Sequence, residues 1–458
     1  MCEFIEIFNT QKAYFSTGTT KTYEWRIEQL NQLEKLLREN ETSFYQALAK
    51  DFKTVYYEQV FEVQALLGTI AQTKAELKQW MQPEPTELKQ ALKDSGHKGF
   101  IYREPYGVSL IIGPFNAPLI LTFEPAIAAI SAGNTCVLKP SAATAQTTNL
   151  LMQLIPQYFK PEAVSIVTGN REQITELLKL HFDFIFFTGS IKVGKIVMQA
   201  AAENLTPVLL ELGGQNATIV DETANIPDAA KKICWGFTAM GGQWCVSPGY
   251  VYVHEYVADA FIEECKKALL KMYGTDAEKS HDLSRIISEK DVDRIVQMTG
   301  TEKIVYGGRF NKEARYVEPT IVYPAEWTDK IMDGEIFGPV LPVLRYNNLK
   351  EMVSIAKTKP KGLAAYIFSR NSACINYILN NLSFGGGCIN QVNIHSWLET
   401  MPFGGVGTSG IGRYYGKYGF NALSNPRNIL FSDADTTIDF IHPPYNEEKL
   451  AILKSLFA

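Results

Sequence analysis

The sequence predicts an α/β protein built on parallel sheets, and three observations carry that expectation. Short apolar runs alternate with helical stretches from residue 108 to 220. A second helix and strand series runs from 224 to 389. The composition, 46% hydrophobic and 20% charged, is that of an ordinary folded globule. At 458 residues the chain exceeds the roughly 100 to 200 residues of one domain, so two or three domains are expected.

The elements follow in order. Residues 22–93 are rich in Leu, Gln, Glu and Lys, and Leu30, Leu33, Leu36 and Leu37 recur at helical spacing, which predicts amphipathic helices. Pro83, Pro85 and the charged segment 89–98 predict a connection, and short alternating strands are expected around 100–102. The parallel rhythm then begins, with strands at 108–112, 135–138, 164–167, 184–187, 208–211 and 217–220, and helices at 126–131 and 145–154. Such βαβ alternation predicts right-handed crossovers and ligands at the carboxyl ends of the strands. The second series includes a long amphipathic stretch at 258–271. A Gly-rich segment, 403–412, leads to 428–439, which reads as an extended strand, and then to a charged terminal helix at 447–456. There is no internal repeat.

Several function classes fall away. The net charge is -5 and the Lys and Arg residues are spread along the chain, so no basic stripe is available for a phosphate backbone and nucleic acid is not an expected partner. Seven Cys at irregular spacings, without a C-x-x-C pair, suggest neither a disulfide framework nor a metal site, and a cytoplasmic protein is expected. Glu3 and Glu6 stand where an export signal would be basic. The most membrane-like stretch, 108–133, is interrupted by Pro114, Asn116, Pro118 and Pro125, which predicts a buried strand, loop and helix instead of a span. No membrane anchor is expected from residues 451–458.

Three short motifs mislead. Gly189-Ser190-Ile191-Lys192-Val193-Gly194-Lys195 has the spacing of a phosphate-cradling loop, but Ile196 follows where Ser or Thr must hold Mg²⁺. Gly405, Gly407 and Gly410 match G-x-G-x-x-G yet follow Met401, Pro402 and Phe403 instead of a strand. His254 and Glu255 begin a zinc motif whose second His is Ala258. No metal is expected.

Four other segments matter together: Gly113-Pro114-Phe115-Asn116, Phe187-Thr188-Gly189-Ser190, Glu211-Leu212-Gly213-Gly214-Gln215 and Gly242-Gln243-Trp244-Cys245. Covalent oxidation of an aldehyde needs a thiolate, an oxyanion donor, a hydride acceptor and a base for hydrolysis, and the chain offers a candidate for each. These segments resemble the Pro-Trp-Asn, Phe-Thr-Gly-Ser, Glu-Leu-Gly-Gly and Gly-Gln-x-Cys motifs of aldehyde dehydrogenases. Leu138-Lys139-Pro140-Ser141 resembles the family's Lys-Pro-Ser-Glu coenzyme motif, and Glu335-Ile336-Phe337-Gly338-Pro339 its Glu-Ile-Phe-Gly-Pro. Residues 402–412, Tyr415-Gly416-Lys417 and Pro443-Pro444-Tyr445 are similar to the class 3 branch, whose members are dimers that favour aromatic and medium to long aliphatic aldehydes.

The resemblance implies a Rossmann-like cofactor-binding domain at 1–88 and 106–211, a second α/β catalytic domain at 212–418, a small β oligomerisation arm at 89–105 and 419–440, and a C-terminal helix at 441–458. It implies that Cys245 is the nucleophile, that Asn116 donates to the oxyanion, and that the partner subunit is a second copy. Glu211, among Leu209, Leu210 and Leu212, suits a base whose pKa is raised by an apolar setting. Gly189, Ser190 and Gly194 belong to a helix start able to receive a pyrophosphate. By resemblance Lys139 binds the adenine ribose, Glu335 the nicotinamide ribose, and Phe337 lies against the ring side. Trp235, Phe237 and Trp244 suggest an apolar approach to the nucleophile. Ala142 departs from the family's Glu after Lys-Pro-Ser, removing an anion that would repel a 2′-phosphate, so NAD and NADP both stay open; Gln215 replaces a Lys. Two alternatives remain, an acylating or acyl-phosphate reductase on the same fold, against which Glu211 argues, and a non-catalytic scaffold, which would be expected to lose Asn116, Glu211 or Cys245.

Overall fold

The computed structural model describes residues 2–435 and 438–457. Its first sheet contains β1 (Val108–Ile112), β2 (Thr135–Lys139), β3 (Val164–Ile166), β4 (Phe184–Gly189) and β5 (Val208–Leu212), all parallel. They read as continuous apolar runs because helices cover both faces. From the edge the order is β5, β4, β1, β2, β3, so the winding reverses between β1 and β4. Their carboxyl ends diverge there, which leaves a crevice where ligands bind in doubly wound folds.

Four helices position the site: α1 (Tyr56–Trp80), α2 (Ile120–Ala132), α3 (Ile191–Glu203) and α4 (Ile226–Thr238). The proline-broken stretch 108–133 folds into β1, a loop and α2, whose residues from Leu121 onward are all buried in protein. No helix among the described residues is long and apolar enough to cross a membrane.

Only Gly213, Gly214 and Gln215 separate β5 from β6 (Asn216–Val220), and with that step the chain passes into a second sheet. That sheet adds β7 (Pro248–His254), β8 (Ile304–Tyr306), β9 (Thr320–Val322), β10 (Val340–Tyr346), β11 (Ala364–Phe368) and β12 (Gly386–Ile389), in the order β8, β9, β10, β7, β6, β11, β12. All neighbours are parallel except β8 and β9. A short strand, β13 (Gly410–Ile411), returns to the first sheet and pairs antiparallel with β5, Gly410 opposite Glu211.

The arm is a separate three-stranded antiparallel sheet of Glu84–Thr86, Lys98–Pro105 and Ser424–Phe431. Here the sequence expectation needs correction. The last strand begins at Ser424 and ends at Phe431, because its register with Lys98–Pro105 runs out at the Phe431 and Lys98 pair. Positions 436 and 437 of the expected 428–439 strand lie outside the described residues. The expected connection near Pro83 and Pro85 holds the edge strand Glu84–Thr86 and a short helix, Gln90–Asp94. A helix at Cys2–Ser16, unforeseen in the sequence, buries Phe4 and Phe8 in a cluster with Val108 and Leu110.

Candidate active site

The segments singled out in the sequence converge at the carboxyl ends of the first sheet. A cavity of about 570 Å³ opens there, lined by Gly113 to Asn116 after β1, Lys139 at the end of β2, Thr188 to Ser190 at the end of β4, and Glu211 on β5, with Cys245, Glu335 and Phe337 from the other domain. A second cavity, of about 210 Å³, lies beyond. Asn116 and Cys245 line both, so they stand at the junction; Glu211 lines only the larger one.

Local chemistry explains the loop that carries Cys245. After α4, Met240, Gly241 and Gly242 take left-handed conformations in succession, with φ of 56°, 65° and 72°. Glycine tolerates this, whereas Met240 carries a Cβ and must be held. Its N–H donates to Glu58 Oε1 at 2.6 Å, and its carbonyl accepts from Gln243 Nε2 at 3.0 Å. From behind, Asn216 Nδ2 donates to the carbonyls of Cys245 and Ser247, both at 2.8 Å, and the Tyr366 hydroxyl donates to the Val246 carbonyl at 2.6 Å. A Cβ on Gly242 would collide with the Gly338 backbone, so this loop lies tightly on the Glu335 to Pro339 segment.

Buried polar atoms are ordinarily paired. Around the junction they are not: Asn116 Nδ2, both Glu211 carboxylate oxygens, Thr188 Oγ1 and the Tyr414 hydroxyl lack partners. Asn116 is 2% exposed and Glu211 3%. Burial lifts the Glu211 carboxyl well above its usual range, and the Arg413 charge pulls partly back. Burial, then the charges of Glu335 and Glu211, push the Cys245 thiol up, while the backbone N–H groups of Cys245 and Val246 act the other way. Burial raises Glu335 to about 7 against a hydrogen bond from the Gly214 N–H and the charge of Arg294.

Ser190 caps α3, accepting from the Val193 N–H at 3.4 Å, and leaves the helix start facing the larger cavity. Gly194 also has a packing part: its N–H donates to the Ser190 carbonyl at 2.9 Å, and a Cβ would come within 2.5 Å of Leu212 Cδ2, so the glycine lets α3 pack closely on β5. The glycines at 404–412 have a packing use that their spacing does not reveal. Added Cβ atoms would strike the Leu210 carbonyl from Gly410, Leu209 from Gly412 and the Glu211 carboxylate from Gly404, so this segment seals Glu211 from solvent.

The matching sequence pattern extends over residues 4–429, where the chain fits the description "Aldehyde dehydrogenase family". The chain belongs to the aldehyde dehydrogenase family. It is similar to the 4,4'-diaponeurosporen-aldehyde dehydrogenase of Staphylococcus aureus, 40% identical over 98% of each chain. It is also similar to the dimeric NADP-preferring aldehyde dehydrogenase of Mus musculus, 38% identical over 94% of this chain and 95% of the relative. A solved structure, the substrate-bound state of Staphylococcus aureus AldH, superposes with a TM-score of 0.96 at 39% identity over all of both chains. Further relatives carry family 3 names, which places this NAD(P)-dependent aldehyde dehydrogenase in the class 3 branch.

Within the aldehyde dehydrogenase the aromatic residues noted in the sequence have different surroundings. Trp244 borders both the smaller cavity and a further one, which Trp235 also borders, whereas Phe237 is buried core. Phe61, Met240, Trp397, Phe403, Glu124 and Arg294 also line the cavities. They come from distant parts of the chain, and no local sequence pattern marks them.

Proposed function

We propose that the chain oxidises aldehydes to carboxylic acids through a thioester on Cys245, with Asn116 as the oxyanion donor and Glu211 as the base for hydrolysis. The observation that carries this reading is the junction: the thiol and an unpaired buried amide face both cavities, while an unpaired buried carboxylate lies on one side only. The Cys245 thiolate adds to the carbonyl carbon from the smaller cavity, forming a C–S bond and an oxyanion. Asn116 Nδ2 and the Cys245 backbone N–H are the donors for that oxygen. A bound oxidised nicotinamide coenzyme supplies the hydride acceptor and a positive charge. Once the carbonyl has re-formed as a thioester, Glu211 takes a proton from water, the water oxygen adds, and the C–S bond breaks to release the acid and the thiolate.

The residues around the larger cavity fit such a coenzyme. Gly189 and Ser190, at the start of α3, would hold the pyrophosphate, Lys139 the adenine ribose and Glu335 the nicotinamide ribose, with Phe337 on the nicotinamide side; all five line this cavity. Ala142 is exposed next to Ser141, which lines this cavity, so no carboxylate opposes a 2′-phosphate; NADP use is the expectation. Aromatic and medium to long aliphatic aldehydes suit the other side. There the smaller cavity shares Phe61, Met240, Trp244 and Trp397 with a further cavity of about 560 Å³, and Trp244 and Trp397 stack at 6.3 Å.

The sheet at 106–211 then serves coenzyme binding, and the sheet within 212–418 carries the nucleophile. The arm exposes Ile429, Leu430 and Phe431, apolar surface suited to a second copy and hence to a homodimer. A catalytic thiol among free cysteines suits the reducing cytoplasm. Initial rates over a panel of aldehydes, each with NAD and NADP, test the reading. Cys245→Ala is expected to abolish oxidation while coenzyme still binds, and retained turnover would remove Cys245 from its role.

A further inference from the structure

Beneath the junction lies a group of charged side chains with no part in the chemistry above. Lys53 and Glu62 are fully buried and form an ion pair. Glu58 and Glu62 sit one turn apart on α1 and therefore point to the same side of that helix. Each carboxylate binds a different loop. Glu58 Oε1 accepts the N–H of left-handed Met240, five residues before Cys245, and Glu58 Oε2 accepts from the Ser284 hydroxyl at 2.6 Å. Glu62 Oε2 accepts the N–H groups of Leu119 and Ile120 at 2.9 and 3.4 Å. Helix α2 has no side-chain cap of its own, so Glu62 anchors its start and with it the loop that carries Asn116. Lys53 Nζ lies 3.8 Å from Met240 Sδ and pairs with Glu62, linking the two attachments.

Burying Lys53 with Glu62 and half-burying Glu58 beside them is costly, and hydrophobic packing often stabilises a fold at least as well. A cluster of this kind is more readily explained by geometry than by stability. We propose that Glu58, Glu62 and Lys53 are positioning residues that fix the Cys245 thiol relative to the Asn116 amide, each carboxylate holding one of the two loops. This rests on the roles given to Cys245 and Asn116 above. Met240 requires the clamp, because without an acceptor for its N–H the left-handed turn at 240–242 can relax and carry Cys245 with it.

The test uses the full-length enzyme with benzaldehyde and hexanal as substrates. Glu58→Ala is expected to lower the rate of the hydride-transfer burst about 10- to 100-fold while coenzyme Kd stays within about twofold. Glu58→Gln keeps an oxygen for the Met240 N–H and is expected to retain a rate within about threefold of the natural enzyme. Combined with Asn116→Ala, Glu58→Ala should cost little more than Asn116→Ala alone, because displacement no longer matters once the donor is gone. Effects that multiply, a burst rate within about twofold of the natural one, or a Gln variant no better than Ala would overturn the proposal. If Glu58→Ala does not fold, Glu62→Gln with Asn116→Ala supplies the same comparison. Alkylation of Cys245 by iodoacetamide needs no turnover. A rate in Glu58→Ala unchanged from the natural protein overturns the positioning role, whereas absence of any aldehyde oxidation by the natural protein overturns the functional reading instead.

Discussion

Replacing Asn116 with Ala should slow the reaction without weakening the fold. Asn116 Nδ2 is buried and unpaired, so the folded protein already bears the cost of desolvating a donor, about 1 to 3 kcal/mol for such a group. That cost is recovered only when an acceptor arrives, and the oxyanion is the acceptor with most charge. One donor of this kind contributes about 3 kcal/mol to the transition state, which at about 1.4 kcal/mol per decade is a loss of about 10²-fold in kcat. Removing the amide also removes its unpaired state, so the melting temperature should stay level or rise. Single-turnover measurement of coenzyme reduction, beside thermal melts and a coenzyme Kd, separates the possibilities. A rate loss below about threefold, or one explained by weaker coenzyme binding, would refute the assignment.

Other outcomes follow from the same geometry. Ala142→Glu should shift kcat/KM toward NAD, and an unchanged ratio would show that position 142 does not face the ribose. Burial, and then the charge of Glu399, raise Glu124 from 4.5 to about 8 against a hydrogen bond from Thr69. The folded state therefore keeps a proton that the unfolded chain releases, and the stability from this group, complete below about pH 4.5, is lost as pH rises to about 8, on the order of 5 kcal/mol at most. Thermal melts of Glu124→Gln at pH 5 and 8 should show a shallower decline than the natural protein, and an equal decline would exclude the titration. Light scattering should find a dimer that Leu430→Asp with Phe431→Asp converts to monomer; a monomeric natural protein would exclude the arm contact.

Much of the site was legible because its parts are local. Asn116, Lys139, Ser190 and Glu211 lie within or just beyond strands that read as apolar runs, and a parallel sheet brings such ends together. What escaped depends on long-range register. Glu58, Glu62, Trp397 and Phe403 approach the junction from helices and loops far apart in sequence, and nothing in their neighbours distinguishes them from surface or core. Gly410 looked like a chance motif because its partner, Glu211, lies on a strand about two hundred residues earlier, and strand pairing over that distance leaves no local trace. The arm's last strand ends earlier than its sequence suggests for a similar reason, since its end is set by Lys98 across the ladder.

The central claim is that a thioester forms on Cys245 and that Glu211 is needed to hydrolyse it. Glu211→Gln mixed with benzaldehyde and NADP should release one burst of reduced coenzyme per active site and then stall. Mass spectrometry of the stalled protein should find a benzoyl group on the peptide containing Cys245. A burst followed by unmodified Cys245, or steady turnover at the natural rate, would contradict the account.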